Sequence, residues 1–163
     1  MFALPNTRFS SLVVIAFFAA ATIGGALVFE RSGFPPCDLC LEQRPAYYFG
    51  APFAAVLAVA ARRGSVTPVS IGLFFLALAF FANAVLGIYH SGVEVAWWKG
   101  PTACTGGQAM PSGVEDMLKQ LETIKVVRCD EVQLRVFALT LANWNVLISA
   151  ALGALAGRAV ARN

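Results

Sequence analysis

Pro68–Tyr89, PVSIGLFFLALAFFANAVLGIY, is the stretch that decides how this chain folds. It carries no acidic or basic side chain and exceeds the roughly 20 residues a helix needs to cross a hydrocarbon core. Three further runs share its character: Ser11–Phe29 (SLVVIAFFAAATIGGALVF), Pro45–Ala61, and Phe137–Ala156 (FALTLANWNVLISAALGALA). Across all 163 residues, 58% are hydrophobic and 13% charged, with a mean hydropathy of +0.70, a balance that implies a bilayer as solvent. The expected fold is all-α: a four-helix transmembrane bundle over residues 1–163 as one membrane domain, with spans at about 11–29, 45–61, 68–89 and 137–156.

Arg8 ahead of the first run admits a cleaved signal peptide. That run is longer than an ordinary signal core and more spans follow it, so it is read as a retained helix. Pro45 suits the first turn of the second span, where its missing N–H would be unpaired in any case, and Pro52 is expected to bend that helix. Asn83 is the one strongly polar residue of the third span and is read as an interhelical hydrogen-bonding group rather than a ligand.

Two polar loops remain, 30–44 and 90–136. Pro35 and Pro36 force an extended approach to Cys37 in the first. The second opens with Trp97 and Trp98, which suit the headgroup boundary. It also holds a capping box, Ser112 with Glu115, followed by Val114, Met117, Leu118, Leu121 and Ile124 at helical spacing, which predicts a short amphipathic helix.

Charge gives the orientation. Arg8, Arg62, Arg63, Arg158 and Arg162 fall at one side of the bundle with no acid among them, whereas every Asp and Glu falls at the other. Lys and Arg are denser on the acid-free side, which places both termini in the cytoplasm and the two loops in the exterior or periplasm. The net charge of +3 is thus topological, and no basic patch interleaved with aromatics suggests nucleic-acid binding.

All four cysteines lie in the two loops: Cys37 and Cys40 as a C-x-x-C pair, Cys104 and Cys129 far apart in the second loop. An oxidising compartment allows disulfides to persist there. Covalent haem attachment needs His after the second Cys, where Leu41 stands. A zinc site usually brings two tight pairs, which Cys104 and Cys129 do not form. No βαβ pattern supports a thioredoxin fold. Two readings stay open on the residues alone: disulfides that merely staple the loops of a membrane scaffold or assembly factor, and thiol redox chemistry. Arg44, four residues after Cys40, either favours a Cys40 thiolate or extends to lipid phosphates.

The stretch CDLCLEQR followed by Pro45 and Tyr47-Tyr48, the segments IYHSGVE and WWKGPTACTGG, the CDE at 129–131 and LANWN in the last span together resemble the DsbB family of bacterial disulfide-bond formation proteins. The resemblance implies a quinone-dependent protein-dithiol oxidase of the inner membrane. A reduced DsbA-like partner would attack a Cys104/Cys129 disulfide at Cys104, Cys129 would then attack Cys37, and Cys40 would pass electrons to ubiquinone or menaquinone beside Arg44. That the bacterial periplasm is kept oxidising through a DsbA–DsbB–quinone chain is general knowledge the resemblance brings with it. It also implies that His90 and Trp144 lie near the quinone, against the plainer readings of an interfacial polar cap and a packing tryptophan. Gln43 stands where relatives can carry Glu and is given no role.

Overall fold

The structure, a computed structural model, describes residues 7–101, 127–132 and 134–161. Cys104 and the amphipathic helix expected from Ser112 to Ile124 lie outside the described residues. Four long helices dominate: α1 (Thr7–Arg31), α3 (Pro45–Arg62), α4 (Val66–Glu94) and α5 (Leu141–Ala161). A short helix α2 (Asp38–Glu42) and a hairpin of β1 (Arg135–Val136) with β2 (Leu139–Thr140) complete the described elements. α1 packs on α3, α3 on α4, α4 on α5, and α5 back on α1.

Arg8–Arg31, Val66–Glu94 and Leu141–Ala161 are long and apolar enough to cross a membrane. α3 is shorter, and Pro45, Pro52, Tyr47, Tyr48 and Arg62 dilute its apolar character. The helices bury small and branched residues inward, among them Leu12, Ile15, Ala54, Leu73, Phe80 and Ala156, and leave Phe17, Phe49, Phe74, Leu78 and Val85 exposed. A surface so rich in large apolar groups fits lipid and not water.

Lipid tails are as apolar as leucine, so burial alone does not hold such helices together; close packing and polar bonds do. Gly50 lets Phe80 lie directly on α3, since a Cβ there would come within 2.8 Å of the Phe80 ring. Between α3, α4 and α5 runs a buried polar knot. The Tyr47 hydroxyl donates to Asn145 Oδ1 at 2.5 Å and sits 2.7 Å from Ser149 Oγ. Asn83 Nδ2 donates to the same two oxygens at 3.1 and 2.9 Å. Asn83 is therefore an interhelical bonding residue, as its isolation in an apolar run suggests.

The helix ends depart from the hydropathy boundaries, because polar residues at the interface can still continue a helix. α1 runs on to Arg31 and α4 to Glu94, so His90 sits inside a helix and not at its end. The first loop also contains helix: Cys37, in extended conformation, accepts the Cys40 N–H on its sulfur and so caps α2. The last helix starts at Leu141 and not at Phe137. Phe137 and Ala138 both adopt positive φ, 50° and 67°, as the two-residue turn of the hairpin, and Thr140 Oγ1 then accepts from Asn143 N to cap the helix.

One end of the molecule brings together Arg8 and Arg62. Arg8 Nε donates to the Ala159 carbonyl at 3.3 Å, joining the start of α1 to the end of α5. The Arg62 guanidinium lies 4.8 Å from the Phe9 ring centre, which brings the α3–α4 turn to that same end. Cys37, Cys40 and Cys129 lie at the other.

Candidate thiol site

The site is built where α2 meets the last turns of α4. Cys37 and Leu39 pack with Val93 and Cys129 in a small buried cluster separate from the main core, with Cys40, Leu86, Tyr89 and Val127 against it. The Cys37–Cys40 pair and Cys129 thus converge on one spot, although 88 residues lie between Cys40 and Cys129. Cys37 and Cys40 are free thiols, and Cys129 is disulfide-bonded. Beside Cys129, Arg128 reaches Asp130 with two bonds of 3.0 and 2.7 Å. This guanidinium holds the partly exposed Asp130 carboxyl below the usual range.

The two free thiols are not equivalent. Their sulfurs lie 2.7 Å apart, so one proton bridges them. The Cys37 thiol donating to Cys40 pulls the Cys40 thiol below its ordinary range against the opposing effect of burial; the Glu94 charge pushes it back up, and the Arg44 charge adds a smaller pull downward. Cys37 is pushed up, first by its bond to Cys40 and then by burial. Cys40, half-buried, is thus the more readily ionised thiol of the pair, and Cys37 the one that holds its proton more tightly.

Arg44 neither stands alone nor extends freely outward. Its Nη1 pairs with Glu30 Oε2 at 2.8 Å, tying the start of α3 to the end of α1. His90 is 3% exposed and reaches the Cys37 thiol, with Nε2 at 3.6 Å from Cys37 Sγ and Nδ1 at 2.8 Å from Gln43 Nε2. Trp144 donates its Nε1–H to the Val136 carbonyl at 3.0 Å, fixing the hairpin onto α5. Trp98 stacks on Tyr89 and donates to its carbonyl at 2.7 Å.

A cavity of about 480 Å³ opens beside the thiols. Ile23, Ala26 and Phe29 of α1 and Leu141 and Ile148 of α5 form apolar walls, and Cys37, Cys40, Gln43, Arg44, His90 and Trp144 all reach it. The structure therefore brings together Cys37, Cys40, Arg44, His90 and Trp144, with Cys129 behind them. Sequence reasoning missed Gln43 and Glu30. Gln43 stands four residues after Leu39, whose carbonyl its amide reaches, a local signal, but its contact with His90 spans two helices and leaves no trace in the sequence.

A helical integral membrane protein with a buried, polarised dithiol at one end is the class these features define. The family model described as "Disulfide bond formation protein DsbB" matches residues 8–159. The chain belongs to the DsbB family, whose members act in disulfide-bond formation at the membrane. Neither the comparison with curated proteins nor that with solved structures gives a match.

Proposed function

We propose that this protein is a thiol:quinone oxidoreductase of the bacterial inner membrane that reoxidises a DsbA-like periplasmic dithiol protein. The observation that carries the reading is the apolar cavity opening onto the Cys37–Cys40 dithiol, whose sulfurs lie 2.7 Å apart. In this reading residues 1–163 form one membrane domain of four crossings, with the basic end of Arg8, Arg62 and Arg158 in the cytoplasm and the thiol end in the periplasm.

Cys104, Cys129, Cys37 and Cys40 carry the relay. The partner's thiolate attacks Cys104 of a Cys104–Cys129 disulfide, forming the mixed disulfide and releasing Cys129 as thiolate. Cys129 attacks Cys37 of the Cys37–Cys40 disulfide, and Cys40 leaves as thiolate, the better leaving group because its charge is stabilised. The partner's second thiol resolves the mixed disulfide at the partner's own sulfur and frees Cys104. Cys104 then attacks Cys129, restoring the first disulfide and leaving Cys37 and Cys40 reduced. Burial of Cys129 in the Cys37 cluster supports the transfer between loops.

The cavity fits a quinone: its walls suit an apolar ring and tail, and Arg44, Gln43 and the thiols offer a polar end. A quinone there would supply the two-electron acceptor that no side chain of this chain provides. Cys40, the more readily ionised thiol, would face the quinone with Arg44 beside it, and Trp144 with the hairpin would form part of the wall. His90 contributes through Cys37.

The test is anaerobic titration of purified protein with a reduced thioredoxin-fold donor while quinone absorbance is followed. Loss of one quinone per donor dithiol is expected. No reduction of ubiquinone or menaquinone would leave a disulfide-stapled scaffold as the better reading.

A further inference from the structure

The relay gives Gln43 no task, yet its side chain is 5% exposed and bridges α2 and α4. Gln43 Nε2 donates to the Leu39 carbonyl at 3.1 Å and lies 2.8 Å from His90 Nδ1. Chemistry fixes which way the amide points. A backbone carbonyl only accepts, so turning the amide over would set two oxygens against each other. The amide nitrogen carries two hydrogens, one for each partner, and His90 Nδ1 must therefore accept. A neutral imidazole that accepts at Nδ1 holds its proton on Nε2, the nitrogen 3.6 Å from Cys37 Sγ. The result is a directed chain: Gln43 donates to His90, His90 to Cys37, and Cys37 to Cys40, whose sulfur is 2.7 Å away.

We propose that Gln43 is a positioning residue that fixes the His90 tautomer, making the imidazole a hydrogen-bond donor to Cys37 and not a base. The proposal rests on the thiol-exchange reading and deepens it. Whenever Cys37 carries negative charge, as attacker or leaving group, its sulfur is met by two donors already in place, His90 Nε2–H and the Cys40 N–H at 3.3 Å. No proton has to move to the ring, so no imidazolium forms beside the thiols. The same tautomer bears on metal binding. Ligand atoms of Cys37, Cys40 and His90 lie within 4.8 Å of one another, but the proton on Nε2 occupies the lone pair a metal ion would need.

His90 is the chain's single histidine, so its ring nitrogens can be observed without assignment. Full-length protein purified through a histidine-free tag, labelled with ¹⁵N-histidine and reduced, should show Nδ1 as an unprotonated, pyridine-type nitrogen and Nε2 as a protonated one. In Gln43→Glu, whose carboxylate only accepts, the two assignments should exchange. In Gln43→Leu the tautomers should mix. In a Cys40→Ser background, Gln43→Leu should also slow iodoacetamide alkylation of Cys37 about twofold at fixed pH, the cost of drawing the donating tautomer from a mixture. A wild-type spectrum with the proton on Nδ1 would overturn the proposal even if no variant folds. Unchanged Cys37 alkylation would break the link from Gln43 to the thiol. Neither measurement uses donor or quinone. Failed quinone turnover with the expected spectrum would count against the oxidase reading alone, and normal turnover with Nδ1 protonated against this proposal alone.

Discussion

Two buried polar chains run through this molecule, and they do opposite things with the same kind of bond. The knot of Tyr47, Asn83, Asn145 and Ser149 lies between three helices, where neutral donors and acceptors satisfy one another. The chain of Gln43, His90, Cys37 and Cys40 lies at the end of the bundle and terminates in a sulfur that opens on a cavity. A closed chain holds helices in register. An open one, ending in an ionisable group, stores its bonds for a charge that comes and goes. The difference lies in what stands at the end of the chain and whether something else can reach it.

The sharpest way to break this contrast is Cys40→Ser, which removes the open end. Quinone reduction by a reduced donor should fall to the uncatalysed background, while the fold, read by circular dichroism, stays intact. Asn145→Leu attacks the closed chain instead. It strips partners from Tyr47 and Asn83 and should cost about 1–2 kcal/mol in reversible denaturation from detergent micelles, without changing the order in which the thiols alkylate. Arg44→Ala should lower turnover several-fold and should move the Cys40 alkylation midpoint upward, because the Arg44 charge favours the ionised sulfur. Should that midpoint stay in place, the Arg44 charge is spent on Glu30 alone. The smallest effect belongs to Trp144→Phe, which loses the bond to Val136 and should raise the quinone KM a few-fold with little change in kcat.

Much of this was legible in the sequence, and for a definite reason. Lipid imposes long uncharged runs, so the long helices announce themselves by hydropathy, and Asn83 stands out because a lone amide in such a run needs a partner. The ends are less legible because hydropathy stops where charge begins, whereas a helix stops where its backbone bonds do. His90 and Glu94 continue α4 beyond the apolar run, and the turn at Phe137 and Ala138 looks helical in composition because nothing in either side chain demands positive φ. Cys37 and Cys40 were marked by their spacing. Their inequality was hinted at only through Arg44, because the contact between the two sulfurs and their unequal burial depend on how α2 packs. Arg44 was marked by its place after Cys40, but its pairing with Glu30 depends on how α1 ends.

The account stands or falls on Cys40 being the thiolate of the pair. A group whose folded pKa is depressed keeps its charge as pH falls below the ordinary thiol range and loses it only on passing through that lower value; a raised one does the reverse. Fully reduced protein should therefore be alkylated with iodoacetamide across a pH series, with each cysteine quantified by mass spectrometry. Cys40 is predicted to react first and to remain reactive below the pH at which an ordinary cysteine falls silent, with Cys37 lagging throughout. Equal rates for the two, or Cys37 reacting first, would contradict it.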